Sequence, residues 1–400
     1  MKNLLMSAFA LACVLALNVQ TVNARSYPTE KLAKVKAKAD TPAYAPAVKQ
    51  LIKEADKTLK QTPPSVMNKN MVASSGDKHD YMSMGPYWWP DPSKPDGLPY
   101  IRKDGLRNPE LDKLDRNRLG EMAKAVTTLG LAYYFTENEQ YAQKATDFLN
   151  VWFLNPETKM NPNLNYGQTI PGHRKGLGRG TGMIDTYCFI EMLDALSLMD
   201  NAKAMTPTIK KGMKDWFTQL VEWIQTSPVA EEENKAENNH GLAFDVQLTA
   251  YALYIGNKEL ATQIVKEFPE KRLFTQIEPD GKQPLELART TALGYTLFNI
   301  THMLDMCAIA STLGINIYNA TSKDGRSITA ALKFVIPYIG KPQSEWPYQQ
   351  IKEWDQKQNE ASWVLRRASY FDPKAGYEEI GAKHRTTPAS GRAYLIYSLE

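Results

Sequence analysis

The 400-residue chain carries 48 basic against 44 acidic side chains, a formal net charge of +4, and 43% of its residues are apolar. That composition supports a large core, in one big domain or two. Charge near balance, with no long basic block and no phosphate loop, argues against nucleic acid as a partner and leaves room for a local basic cleft facing an acidic substrate.

The N-terminus reads as an export signal. Lys2 supplies a positive start, Leu4 to Leu17 an apolar run, and Val22-Asn23-Ala24 a small-residue cleavage site. Residues 1–24 are therefore expected to be a signal peptide, and 25–400 a single catalytic domain in a periplasmic or secreted protein. The apolar run is too short for a membrane span, and no later segment approaches that length. Ala10-Leu11-Ala12-Cys13 makes a poor lipobox, which disfavours a lipid anchor. Beyond the leader only Cys188 and Cys307 remain, each in an apolar helical pattern that suits buried free thiols. Spacing leaves a disulfide between them open.

Residues 25 to 62 look helical, with Leu32, Val35, Ala43, Val48, Leu51 and Leu59 as a thin apolar stripe. From Pro63 to Pro109 the chain turns rich in proline, glycine and aromatic residues, and Gly85-Pro86-Tyr87-Trp88-Trp89-Pro90-Asp91-Pro92 cannot be regular helix. An ordered loop of this length is usually functional, so 63–109 is expected to act as a lid or subsite segment. Helical periodicity then dominates. It predicts helices at Asp112 to Phe135, Glu139 to Phe153, Met183 to Leu198, Thr206 to Thr226, Gly241 to Tyr254, Lys258 to Glu267, Leu285 to Leu313, Ser327 to Pro337, Ala361 to Tyr370 and Gly391 to Leu399. Many helices with short polar connections and no fixed-period repeat predict an all-α fold, helical hairpins wound into an (α/α) barrel or toroid.

Two clusters carry candidate chemistry. In Glu237-Asn238-Asn239-His240-Gly241 either asparagine can cap the helix that follows, which puts His240 in its first turn. The positive end of the helix dipole disfavours imidazolium there, and a neutral imidazole is what a general base needs. The plainer reading is a cap beside a structural histidine. Downstream, Arg289 and Tyr295 stand near the start of a long apolar helix; six residues apart on one helix, they would differ by roughly 120° in azimuth and could flank one cleft. The plainer reading here pairs Arg289 with Glu286 and packs Tyr295 in the core.

Asn, His, Arg and Tyr are together the set needed to remove a carbon-bound proton next to a carboxylate and to protonate a departing glycosidic oxygen. In a polyuronate the C5 proton is only weakly acidic, because the adjacent carboxylate is already negative. Asn239 and Arg289 holding that carboxylate would make the developing charge tolerable, His240 or an ionised Tyr295 could take the proton, and Tyr295 could give one to O4. The scheme needs no metal or other cofactor, and His79, His173, His240, His302 and His384 show no ligand spacing.

Further motifs accompany these clusters. They are Tyr87-Trp88-Trp89-Pro90-Asp91-Pro92 with Pro95-Asp96-Gly97-Leu98-Pro99-Tyr100; Asn165-Tyr166-Gly167-Gln168 with Pro171-Gly172, Gly178-Arg179-Gly180 and Ile184-Asp185; and Ala292-Leu293-Gly294-Tyr295. With Asn238-Asn239-His240 they come in the order and approximate spacing of the alginate lyases, over residues 70 to 310. The chain resembles a divergent branch of that superfamily, similar to polysaccharide lyase family 38 and more distantly to family 5. The resemblance implies an incomplete (α/α) toroid, β-elimination of a polyuronate (alginate, with glucuronan a second candidate), and a catalytic centre that maps to Asn239, His240, Arg289 and Tyr295.

Substrate contacts are expected from Trp88, Trp89 and Tyr87, which could stack on sugar faces at a cleft wall or simply pack the loop. Lys78, His79 and Tyr81 are expected in a subsite loop, and Gln168, His173 and Arg179 in a glycine-rich basic run that could hold a uronate carboxylate. Trp346, Trp354 and Trp363 read as core or interface residues, while Arg366, Arg367 and Arg385 are left open. Two other functions compete. An inverting glycoside hydrolase on the same toroid would need paired carboxylates, with Asp80, Asp185, Glu278 and Asp280 available. A non-catalytic surface glycan-binding protein would have no use for a histidine and tyrosine pair.

Overall fold

The computed structural model describes residues 26–399; the expected leader, with Cys13, lies outside them. Four helices form the interior: α3 (Asp115–Thr136), α5 (Phe189–Leu198), α8 (Asn239–Ile255) and α12 (Ala292–Thr312). α5, α8 and α12 are buried on most of their faces, as helices apolar nearly all round must be, and α3 is buried all round only from Ala125 to Ala132. Around them lie α2 (Ala45–Leu59), α4 (Glu139–Leu149), α6 (Pro207–Thr226) and α9 (Lys258–Phe268), which bury one stripe each. In α2 that stripe is Ala47, Leu51, Ala55 and Thr58, spaced to fall on one face.

Neighbours in sequence pack as hairpins. α3 rests on α2, α4 and α5, and α8 on α5, α6, α9 and α12. α12 then meets α14 (Trp354–Ala368), while α16 (Ala393–Ile396) returns to α1 (Thr29–Ala37) and α2. This is the helical toroid, with α7 (Pro228–Asn234), α10 (Phe274–Gln276), α11 (Pro284–Leu287), α13 (Ile328–Val335) and α15 (Tyr377–Ala382) as short connectors and outer pieces. Among the described residues no helix is long and apolar enough to cross a membrane, and Cys188 and Cys307 are both free thiols.

Residues 63–109 stay irregular but are pinned in place. β1 (Met82–Met84) pairs in parallel with β4 (Tyr166–Thr169), and β2 (Trp88–Trp89) pairs antiparallel with β3 (Ile101–Arg102). Beneath them Lys69, fully buried, donates to the carbonyls of Val66 and Lys78 at 2.8 and 2.7 Å and pairs with Asp115 at 2.9 Å. Asp115 also accepts from the Met82 N–H at 2.9 Å, so one buried ion pair ties the loop to the start of α3.

Several helix boundaries differ from expectation. The predicted helix from Leu285 to Leu313 is broken: α11 stops at Leu287 and α12 starts at Ala292. Thr291 between them bridges to Gln350, whose Oε1 accepts from the Leu293 N–H at 3.0 Å. Residues 180–186 form a 3₁₀ helix, with α5 beginning only at Phe189. α14 starts at Trp354, seven residues before the predicted Ala361, and the expected Gly391 to Leu399 helix is a single turn.

Candidate active site

Asn238 caps α8, its side-chain oxygen accepting from the His240 N–H at 3.1 Å, so Asn239 and His240 open the helix. Gly241 is required next, because a Cβ there would lie 1.9 Å from the Ala236 carbonyl oxygen. Asn239 is fully buried and held twice by Glu286: its backbone N–H and its Nδ2 each donate to one carboxylate oxygen at 2.7 Å. His240 Nδ1 lies 2.6 Å from Oε1 of Glu233, a carboxylate itself buried in α7. A carboxylate on Nδ1 keeps the proton there and leaves Nε2 as the basic nitrogen.

The break before α12 sets the second half of the centre. With Arg289 in the turn rather than on the helix, its guanidinium carbon lies 3.7 Å from the Tyr295 ring centroid, and Nη2 donates to the Tyr295 hydroxyl at 2.8 Å. The Tyr87 hydroxyl, from the 63–109 loop, shares a second hydrogen bond with Tyr295 at 2.8 Å. Burial, reinforced by the Tyr87 phenol, raises the Tyr295 pKa above that of an ordinary tyrosine although Arg289 opposes it, so the resting group is a protonated phenol.

Arg289 is also bound by Asp104, not by Glu286. Its Nε and Nη2 donate to the two oxygens of Asp104 at 3.1 and 2.7 Å. Burial alone would raise the Asp104 carboxyl, but Arg289 and Arg102 outweigh it and hold the carboxyl well below the usual range. With Nε and Nη2 committed to Asp104 and Tyr295, Nη1 is the part of the Arg289 fork left to meet a uronate.

Asn239, His240, Arg289 and Tyr295 all line one cleft of about 930 Å³. Seven basic residues line it (Arg102, Arg116, Arg179, Arg289, Lys352, Lys357 and Arg367) against three acidic ones (Asp185, Glu353 and Glu360), so its charge suits a polyanion. Arg179 makes no ion pair within 4 Å among the described residues. It donates to the backbone and side-chain oxygens of Gln168 at 3.1 and 3.0 Å and lies 5.7 Å from the Trp88 ring.

Of the expected substrate contacts, Tyr87, Trp88, Gln168 and Arg179 line this cleft and the others do not. Tyr81 is buried, donating to Asp185 at 3.0 Å. His173 packs edge-on against Trp88 at 5.3 Å and lies 3.0 Å from the Tyr100 carbonyl, so it braces the wall from behind. Trp89 turns away to donate to the Leu106 carbonyl at 2.9 Å. His79 sits 2.7 Å from the Lys159 carbonyl, and the Lys78 carbonyl receives Lys69; both belong to the loop anchor. Conversely Trp363 and Arg367, from α14, line the cleft, whereas Arg366 and Arg385 pair with Glu378 outside it.

The hydrolase carboxylates do not form a pair. Asp185 alone among them lines the cleft, and it is occupied by Tyr81, Ser83, Gln168 and Arg116. Asp80 is bound by Ser75, Asn161 and Asn163, while Glu278 and Asp280 belong to a turn before α11. No group of His, Cys, Asp and Glu among the described residues is arranged to hold a metal ion.

Asp104, Arg116, Glu233, Glu286, Lys352 and Lys357 were not singled out as site residues from the sequence. Glu233 stands in a run of three glutamates that looks like a solvated face, and only its position on the buried side of α7 distinguishes it.

The family model described as "Alginate lyase" matches residues 65–346. No curated protein matches the chain. Among solved structures, an alginate lyase from Bacteroides ovatus is 78% identical, with a TM-score of 0.94, over 94% of this chain and all of that one. Alginate lyase A1-III from Sphingomonas species A1 is 17% identical with a TM-score of 0.57, covering 87% of this chain and 95% of its own, and so shares the fold. A variant of A1-III, likewise 17% identical with a TM-score of 0.57 over 87% of this chain and 94% of its own, was solved in complex with a tetrasaccharide. On the extent of the family match and the first of these likenesses, the chain belongs to the alginate lyase family and is a polysaccharide lyase acting on polyuronates.

Proposed function

We propose that this lyase breaks the 1,4-glycosidic bonds of alginate by β-elimination, leaving a 4,5-unsaturated uronate end, and that glucuronan is a second substrate. The observation that carries this is the convergence of Asn239, His240, Arg289 and Tyr295 on one basic cleft. In the proposed reaction Asn239 and Nη1 of Arg289 hold the C5 carboxylate and stabilise the charge that builds on it. Nε2 of His240 takes the C5 proton. The C–H electron pair becomes the C4–C5 double bond as the C4–O4 bond breaks, and O4 takes the proton of the Tyr295 hydroxyl.

The protonated resting state of Tyr295 supports its role as the acid, and the Glu233 contact supports His240 as the base. For a uronate whose H5 lies on the opposite ring face, the Tyr295 phenol first gives its proton to solvent; the phenolate, stabilised by Arg289, then takes the C5 proton and passes it to O4 as the C4–O4 bond breaks. Trp88, Gln168 and Arg179 hold a neighbouring sugar. A secreted or periplasmic location fits a polymer substrate.

Incubating the purified protein with alginate, and separately with glucuronan, while following ultraviolet absorbance tests the reading. The unsaturated chromophore is expected. Reducing ends without it would mean hydrolysis, and neither product would mean binding alone.

A further inference from the structure

Glu286 and Asn239 make an arrangement the reaction above leaves unused. Both carboxylate oxygens of Glu286 accept from Asn239, one from its backbone and one from Nδ2, at 2.7 Å each. A carboxamide has its oxygen opposite its nitrogen, so Oδ1 points away from Glu286, and it is buried without a hydrogen-bond partner. In this orientation the amide keeps its acceptor unused and spends one of its two side-chain N–H donors on Glu286. Such a group is poorly set to receive a carboxylate, which offers only acceptors.

We propose that Glu286 is a proton-carrying positioning residue: when a uronate binds, Glu286 takes one proton from solvent and the Asn239 carboxamide turns over. Oδ1 then accepts the Glu286 O–H, the other Glu286 oxygen keeps the backbone N–H of Asn239, and Nδ2 offers both hydrogens to the uronate. The two ends of an amide are nearly equal in size, so the turn exchanges hydrogen bonds without repacking. The inference rests on the proposed role of Asn239 in holding the uronate carboxylate.

Two further features agree with it. Glu286 is 1% exposed, and burial raises its pKa although Asn239, Arg289 and His240 oppose the shift. It also lines a second cavity of about 530 Å³, which among the described residues has only Asn238 in common with the lining of the cleft, so a proton has a route other than the one the substrate fills. The charged groups around that cavity are Lys235, Glu237, Lys271 and Arg272; the last two are committed to Asp245 at 3.0 and 2.8 Å, and Lys235 pairs with Glu231 at 3.2 Å.

The test measures tetrauronate affinity across pH in the Tyr295→Phe protein, with Glu286→Gln, Glu286→Ala and Asn239→Ala added singly. Proton uptake makes Kd rise about tenfold per pH unit above the free-state pKa of Glu286. Glutamine supplies an N–H for Oδ1 and an oxygen for the backbone. Glu286→Gln is therefore expected to bind within a few fold of its parent at low pH and to lose that slope, while Glu286→Ala weakens binding about tenfold or more at every pH. A slope unchanged in Glu286→Gln, or a glutamine variant as weak as alanine, overturns the proton-linked turn while Asn239 keeps its role. Unchanged affinity in Asn239→Ala overturns both.

Discussion

The guanidinium of Arg289 lies 3.7 Å from the Tyr295 ring centroid and donates to the same residue's hydroxyl at 2.8 Å, while Asp104 grips it from the other side. Lysine would keep the charge but could not hold Asp104 and the phenol with one planar fork. Arg289→Lys is expected to lower kcat about 10²-fold, the loss typical of one preorganised charge-stabilising donor. Oligosaccharide affinity should change much less, and steady-state kinetics beside a binding titration checks the split.

Glu233 fixes the tautomer of His240 by a 2.6 Å contact to Nδ1. Glu233→Gln removes the carboxylate without changing size, and losing an imidazole's orienting carboxylate costs about 10²–10⁴ in kcat where that imidazole is the base. Mannuronate and guluronate differ in the direction of H5, so Glu233→Gln and His240→Ala should both harm one epimer more than the other. Rates on pure mannuronate and guluronate blocks measure this; equal losses on both count against the division of labour.

The toroid was readable because amphipathic and all-apolar helices announce themselves by local periodicity, and the Asn238 cap is local too. The relation of Arg289 to Tyr295 was not. Apolar spacing runs on through residues 288–291, and the break depends on Gln350, far along the chain, which caps α12 through its side chain. The partners of the centre were hidden for the same reason. Asp104 reaches Arg289 from the proline-rich loop, and Trp363 and Lys357 enter the cleft from α14, beyond the segment that the family model matches. His79 and Lys78 read as substrate contacts by type, yet the His79 ring meets the Lys159 carbonyl and the Lys78 backbone carbonyl receives Lys69, and neither residue lines the cleft.

The loop anchor gives a stability prediction. Lys69 and Asp115 are both fully buried, and removing one member of such a pair leaves the other charge without compensation. Lys69→Met is expected to destabilise the fold by about 3–5 kcal/mol, as seen in denaturant unfolding. The paired change Lys69→Met with Asp115→Leu should recover much of the loss, because the orphaned carboxylate is then gone.

His302 sits fully buried between the rings of Tyr187 and Phe298, at 4.4 and 4.1 Å, and burial pushes its imidazole down to about 3. A histidine lowered on folding takes its proton more readily when unfolded. Its contribution to stability is thus complete above about 6.5 and is lost as pH falls toward about 3. Between pH 7 and pH 5 this group should cost about 2 kcal/mol. His302→Met should flatten that part of the stability curve; an unchanged acid-side slope would show that other groups set it.

The most direct measurement of the central claim is chromophore formation with enzyme in excess over a defined oligouronate, wild type beside Tyr295→Phe. Wild type is expected to give one equivalent of unsaturated end per bond cut, whereas Tyr295→Phe gives none over the same interval yet still binds the oligosaccharide. Chromophore from Tyr295→Phe at near the wild-type rate would contradict the assignment of the phenol as the acid. Reducing ends without chromophore from the wild-type protein would contradict β-elimination itself.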